Sequence, residues 1–297
     1  MKAFAFALLF PLQIDTVANA FSTTAKVPLK GISASEFRHP LDRQLTTAIK
    51  NAPFHKLAEG AIRSSFSLVE QGVRLDLLSS AVKVSQDQLP ELYEAMQSAA
   101  QVLDMSNVPE LYVQSSSQAN AYTLALENKS GSTPPIVVIT STLLDRCSKD
   151  EIQAILGHEL GHLKCSHSLY LTLGGLVSSP FRSLPIVGTQ TEQLLQNWRL
   201  AAEYSCDRAA LLVAQNVDVV TGAMLKLFAG TNKVSNTRAF MEQAREYERL
   251  LKDANPLVRM SVGMQSRTHP LPVKRVVELE KWADSKEYKQ LLGIESA

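Results

Sequence analysis

The segment Gly157-His158-Glu159-Leu160-Gly161-His162 sets two imidazoles four residues apart with a carboxylate between them. On a helix such a pair lies about 40° apart around the axis and roughly 6 Å apart along it. Both rings then face one side and can chelate a single ion. Neutral imidazole suits Zn²⁺, which accepts tetrahedral nitrogen and oxygen donors. Glu159, beside the first histidine, reaches a water on such an ion rather than the ion itself, and there it would serve as general base. Taken alone, the pair also fits a solvated or core-capping arrangement. Its neighbours Ile155, Leu156, Leu160 and Leu163 are apolar, however. Unpaired His and Glu among them would carry a desolvation cost of a few kcal/mol, which a metal relieves. Gly157 and Gly161 leave room beside the histidines for a neighbouring helix or a substrate.

Catalysis at a two-histidine site needs a third protein ligand and an open position. The best candidate lies in Trp198 to Leu212, whose Ala- and Leu-rich flanks read as buried, yet Glu203 and Asp207 stand at i and i+4 on one face. Two buried carboxylates repel unless cations lie beside them. Zinc for Glu203, and an arginine or a ligand-histidine N–H for Asp207, would satisfy both. Without those cations the two carboxylates fit the surface of an amphipathic helix.

The elements that must position these groups can be read from spacing and punctuation. Ser148-Lys149-Asp150-Glu151 has the form of a capping box and opens the helix that carries the histidines. Further helices are expected over about 191–213, 217–228, 238–251 and 273–282. Ahead of them, Ser35 to about Gln71 shows helical spacing interrupted at Pro53, and Asp87-Gln88-Leu89-Pro90-Glu91 reads as a helix start with an Asp or Ser cap. Leu111 to Gln114, Ala121 to Leu126 and Ile136 to Thr140 are short and β-rich, so they read as strands. Helices, a small sheet, then helices imply an α+β, mainly helical catalytic domain.

Composition narrows the function. With 30 basic against 29 acidic side chains, no net positive field draws in phosphate, so nucleic acid is not expected as a partner. Three cysteines do not make a disulfide scaffold. A 45% hydrophobic chain does not supply several membrane spans.

The motifs in order make the reading specific. His158-Glu159-Leu160-Gly161-His162 followed by Ala202-Glu203-Tyr204-Ser205-Cys206-Asp207-Arg208 resembles the HtpX and CAAX prenyl protease type of zinc metallopeptidase, peptidase family M48. His269-Pro270-Leu271-Pro272-Val273-Lys274-Arg275 is similar to that family's late His-Pro element, and Asn120-Ala121-Tyr122 to its Asn-Ala-aromatic edge strand. The likeness reaches back to Phe37-Arg38-His39-Pro40-Leu41-Asp42 and lies nearest to soluble plastid members of plants and algae. The resemblance implies a zincin-like (gluzincin) domain with a small mixed sheet and one Zn²⁺ per chain. It implies that His158, His162 and Glu203 bind the metal and that Glu159 is the base and proton shuttle. His269 would help stabilise the oxyanion, and Asp207 would orient a ligand and pair with Arg275. The strand at Asn120, Ala121 and Tyr122 would hold an extended peptide or protein substrate by its main chain. Read from the residues alone, His269 is a helix-capping residue before Pro270. A catalytically silent zinc-binding adaptor, or a lipid-surface scaffold of the same fold, is the alternative function.

The N-terminus reads as an address. Met1-Lys2, the apolar run Ala3 to Leu12 and Val17-Ala18-Asn19-Ala20 have the three parts of a signal peptide, residues 1–20. Ala18-Asn19-Ala20-Phe21 resembles the cleavage motif of two-part plastid signals in algae. Residues 21–60 then form a transit-like or helical extension, and 61–297 the metallopeptidase domain. Plastid delivery is the expectation, secretion or an endomembrane lumen the alternative. Family members such as HtpX carry membrane helices near the catalytic helix, whereas here 168–181 is uncharged but too short to span. It is expected as a buried helix over the site, with peripheral contact to a membrane or lipid droplet as the alternative. Cys165 and Cys206 are expected as buried free thiols near the site, Cys165 alternatively as a fourth ligand. Cys147 is expected to pack and His167 to be solvated.

Overall fold

The computed structural model describes residues 26–51, 55–124, 134–178, 185–259 and 271–294. The helical spacing of the N-terminal third resolves into α1 (Ala34–Phe37), α2 (Pro40–Lys50) and α3 (His55–Ser80). Pro40 supplies the pre-set φ at the first turn of α2, and Ser33 with Glu36 forms a capping box on α1. A short strand that periodicity does not announce, β1 (Ala81–Lys83), continues directly from α3. Helix α4 (Pro90–Val102) begins with Pro at its first turn, but its cap is Leu89 in the left-handed region (φ 62°), with no side-chain cap. The expected Asp or Ser cap is thus not used. Gln88 N–H instead bonds back to the Ser85 carbonyl, and that turn delivers the chain to Pro90.

The strands β2 (Glu110–Gln114), β3 (Ala121–Leu124) and β4 (Ile136–Thr140) fall where the β-rich runs predict them; Ala125 and Leu126 lie outside the described residues. The sheet order is β1-β2-β4-β3, with β2 and β4 parallel and both outer pairs antiparallel, a small mixed sheet as expected. Central β4 is buried at every residue, which accounts for its unbroken Ile-Val-Val-Ile run, whereas β3 is the half-buried edge.

The helices that follow include α5 (Ser141–Arg146), α6 (Lys149–Lys164), α7 (His167–Ser178), α8 (Pro185–Ala214), α9 (Val217–Ala229), α10 (Thr237–Asp253), α11 (Pro272–Ala283) and α12 (Lys286–Leu291). The Ser148–Glu151 capping box closes in both directions, at 2.6 and 3.3 Å. Among the described residues no helix is long and apolar enough to cross a membrane. In the uncharged stretch from 168, Leu169 is buried and Ser168 and Leu171 line the main cavity.

The axis of the fold is the contact between α6 and α8. A Cβ on Gly157 would stand 2.8 Å from Val213 Cβ, and one on Gly161 would stand 2.8 Å from Ala209 Cβ and 3.0 Å from Cys206 Cα. The room left by the two glycines is therefore taken by α8, which brings its backbone hard against the histidine helix. Replacing Gly161 by Ala is expected to push the two helices apart. The cost should be about 1–3 kcal/mol, a fall in thermal midpoint of about 2–4 °C per kcal/mol in a domain of this size. An unchanged midpoint in differential scanning calorimetry would show that the close approach is not needed.

Helices α1 and α2, which lie in the segment read as an N-terminal extension, pack into this body. Leu29, Ile32 and Phe37 belong to the same buried cluster as Leu156, Leu160 and Leu211. Leu29 N–H bonds to the Val102 carbonyl, and Asp42 is wholly buried between α7 and α8.

Candidate metal centre

Because α6 and α8 pack so closely, the face of α6 carrying His158 and His162 looks directly at Glu203. His158 Nε2 lies 3.6 Å from Glu203 Oε2, and His162 Nε2 lies 3.7 Å from Glu203 Oε1. Donor atoms about 2.0–2.1 Å from a tetrahedral zinc ion stand about 3.3 Å from one another. The three side chains thus present their donors at a spacing that suits one such ion. His158 Nδ1 is 3.1 Å from Asp207 Oδ1, one turn along α8 from Glu203, so the carboxylate accepts the Nδ1 proton and leaves Nε2 as the free donor. Arg275 on α11 donates from Nε to Asp207 Oδ2 at 2.8 Å and from its second nitrogen to Asp207 Oδ1 at 2.5 Å. Its third nitrogen stands 3.6 Å from Glu203 Oε2. Here is the cation that two carboxylates on one buried helix face require.

The charges respond as their surroundings dictate. Burial would raise Asp207, but the Arg275 guanidinium and the His158 bond outweigh it and hold the carboxyl below its ordinary value. Burial would lower His158, yet the Asp207 bond and the nearby carboxylates raise it. His162 is driven down to about 3 by burial and by the neighbouring histidines, so it is neutral and able to donate a lone pair. Glu159 is raised by burial, in spite of His158 and of Thr123.

Glu159 is held from the sheet. Thr123 on β3 donates its hydroxyl to Glu159 Oε2 at 2.7 Å, which leaves Oε1 without that bond. Asn120, Ala121, Tyr122 and Thr123 line one wall of a cavity of about 530 Å³ that also contains His158, Glu159, His162, Glu203, Asp207 and Arg275. Leu143, Ile155, Val220 and Met224 form an apolar wall. The main chain of Asn120 pairs with Thr140 (Thr140 N–H to Asn120 O, 3.0 Å). By the alternation of an antiparallel ladder, the main-chain groups of Ala121 and Thr123 then point away from β4, toward an open edge. His269 lies outside the described residues.

The cysteines separate. Cys206, wholly buried, places Sγ within 4.8 Å of donor atoms of both His158 and His162. Burial, and then Cys165, Glu203, Glu159 and Asp207 around it, raise its thiol well above the ordinary value. Cys165 caps α6, buried against Asp42 and His167 rather than beside the His158–His162 pair. Cys147 is half-buried in the wall of a separate apolar cavity with Leu92, Ala95 and Ile152.

His167 is not solvated, contrary to expectation. It is 2% exposed, with Nδ1 3.1 Å from His162 Nδ1 and Nε2 2.9 Å from Asp42 Oδ2. Ser166, at φ 51°, ends α6 and folds α7 back, so a helical count from His162 misplaces the residue. Thr123, His167 and Asp42 are the groups at the site that motif reading passes over. Asp42 lies within the Phe37 to Asp42 segment whose likeness to the family is noted above, and Thr123 directly follows Asn120-Ala121-Tyr122.

Comparison with known proteins agrees with this geometry. Residues 86–283 match the profile of peptidase family M48. The plastoglobule-localized metallopeptidase 48, chloroplastic, of Arabidopsis thaliana is 38% identical over 275 residues, covering 89% of this chain and 76% of that protein. A protease HtpX homolog of Thermodesulfovibrio yellowstonii is 30% identical over 98 residues, 33% of each chain. A second, from Thermoplasma volcanium, is 27% identical over 212 residues, 60% of this chain and 66% of its own. The crystal structure of S. mikatae Ste24p aligns over 81% of this chain and 61% of that one, with 16% identity and a TM-score of 0.41.

Proposed function

Because the chain belongs to peptidase family M48 and is a peptidase, we propose that it is a zinc-dependent metalloendopeptidase working at the centre built by α6, α8 and α11. The observation that carries the reading is the facing of His158 Nε2 and His162 Nε2 onto the two oxygens of Glu203, at 3.6 and 3.7 Å, with Glu159 in the same cavity. One Zn²⁺ per chain is held by those three side chains and, when bound, supplies Lewis acidity for the attacking water and the scissile carbonyl.

The protein's own groups do the rest. Glu159 takes the proton of the water at the carboxylate oxygen that Thr123 leaves free, and returns it to the departing amine nitrogen. Asp207 keeps His158 in the tautomer that exposes Nε2, and Arg275 keeps Asp207 ionised. The edge strand β3 aligns an extended peptide through the main chain of Ala121 and Thr123, with Asn120 and Tyr122 flanking it. The apolar wall of Ile155, Val220 and Met224 accepts a side chain of the substrate. His269 supplies a donor to the oxyanion, as the family resemblance implies.

The Arabidopsis relative is named chloroplastic and plastoglobule-localized. We assign this chain to a plastid on that likeness and on the targeting pattern of its N-terminus, which lies outside the described residues.

The test is metal removal. Purified protein is expected to contain one zinc per chain by mass spectrometry, to lose hydrolysis of denatured casein on treatment with 1,10-phenanthroline, and to regain it on adding zinc. Activity that persists in metal-free protein would overturn the mechanism, and a metal-bearing protein without activity would favour the adaptor reading.

A further inference from the structure

His162 carries no carboxylate on its outer nitrogen, unlike His158 with Asp207, and the structure shows what it has instead. Its Nδ1 faces His167 Nδ1 at 3.1 Å, and His167 Nε2 faces Asp42 Oδ2 at 2.9 Å. We propose that His167 is a positioning residue for metal binding: with Asp42 it forms a buried carboxylate–histidine–histidine chain that fixes the ring and tautomer of His162. This inference rests on the assignment of His162 as a ligand.

The direction of every bond in the chain can be followed from Asp42 outward. Arg38 donates to Asp42 Oδ1 (3.3 Å) and to Thr46 Oγ1 (2.7 Å), so the Thr46 hydroxyl proton is free to go to Asp42 Oδ1 (3.1 Å). Trp198 Nε1–H, which can only donate, reaches Oδ1 at 3.0 Å. On the other oxygen, Ser205 donates at 2.7 Å while accepting from His39 N–H at 3.0 Å. Four neighbours besides His167 therefore donate to Asp42, which makes it an ionised acceptor. In the chain proposed here His167 carries a single ring proton on Nε2, where Oδ2 takes it, and keeps a lone pair on Nδ1. That lone pair accepts Nδ1–H of His162, and the His162 Nε2 lone pair is left pointing at Glu203. Cys206 Sγ also lies 3.5 Å from His167 Nδ1, but a thiol is the weaker donor for the single lone pair.

A second reading of this cluster is a metal site, since Asp42, Cys165 and His167 each bring one donor atom within 4.8 Å of the others. The charges argue against it. Arg38 reaches both Asp42 and the Cys165 carbonyl (2.7 Å), which puts a fixed cation inside the cluster. The Asp42 oxygens are already taken up by donors from Arg38, Thr46, Trp198 and Ser205.

Two near-isosteric variants divide the chain at His167. In His167→Asn the amide oxygen falls near the site of Nδ1 and can still accept from His162. In His167→Gln the amide nitrogen falls near the site of Nε2 and can still donate to Asp42, but the acceptor for His162 is lost. Zinc affinity is measured by competition with a chromophoric chelator, and the thermal midpoint of the chelated protein is measured beside it. The expected result is a 10–100-fold weaker zinc affinity for His167→Gln and a value within a few-fold of wild type for His167→Asn, whatever the two midpoints do. Equal affinities in the two variants, or a loss that simply follows the midpoint, would overturn the proposal. So would two zinc ions per wild-type chain with one lost on substituting His167. On zinc-loaded wild type, two-bond ¹⁵N–¹H correlation should place the His167 proton on Nε2 and that of His162 on Nδ1. A proton on His167 Nδ1 would exclude the chain without any variant. If wild type binds no zinc, the metallopeptidase reading fails with it; if zinc binds and His167 is indifferent, only this inference fails.

Discussion

Glu159→Gln is expected to keep one zinc per chain and to lose peptide hydrolysis by about 10²–10⁴-fold, the usual contribution of a general base. The substitution nearly preserves shape, and none of the atoms facing the metal position on His158, His162 or Glu203 is altered. The Thr123 hydroxyl can still donate to the amide oxygen, as it does to Glu159 Oε2 at 2.7 Å. Folding should not suffer, because an amide costs less to bury than an ionised carboxylate. What disappears is the carboxylate that takes the proton of the water. Zinc content and casein cleavage measured on the same preparation separate the two effects. A Gln variant that cleaves as fast as wild type would remove Glu159 from the mechanism, and one that loses its zinc would show Glu159 to be part of the binding site.

Arg275→Ala should give the largest loss of stability. The guanidinium makes two bonds to Asp207 and stands 3.6 Å from Glu203, so its removal takes a fixed positive charge away from two nearly buried carboxylates on one helix face. Breaking such a cluster by deleting one partner typically costs about 3–5 kcal/mol. The cost should appear in full in urea unfolding of chelated protein and shrink when zinc is added, because an ion bound only by the folded state offsets part of it. Arg275→Lys should recover only part, since an ammonium cannot make the paired bonds of the fork. A chelated Arg275→Ala protein within 1 kcal/mol of wild type would mean that water already screens the carboxylates.

The parts of the centre that could be read from sequence are those set by one helix. The i and i+4 spacings of His158 with His162 and of Glu203 with Asp207 each fix a face, and Ser148 with Glu151 fixes the start of α6 through a local bond. The runs over 111–114 and 136–140 likewise declare their strands, the first by its Tyr and Val and the second by unbroken β-branched content. What sequence does not display is contact across distance. The Asp42–His167 bond joins residues 125 apart, and no periodicity links them. Five residues on an unbroken helix would turn His167 away from His162, but the left-handed Ser166 breaks that helix and redirects the chain. The cap of α4 fails for a related reason: Asp87 has the right chemistry, and the turn before Pro90 places Leu89 at the boundary instead.

The groups around the metal position reach from Asp42 to Arg275, with Thr123, His158, His162, His167 and Glu203 between them. No partial chain holds the set. During synthesis α2 emerges with its carboxylate in water, long before the α8 and α11 residues that pair with the site arrive. The complete set of groups therefore comes together only when the last of these helices has been made.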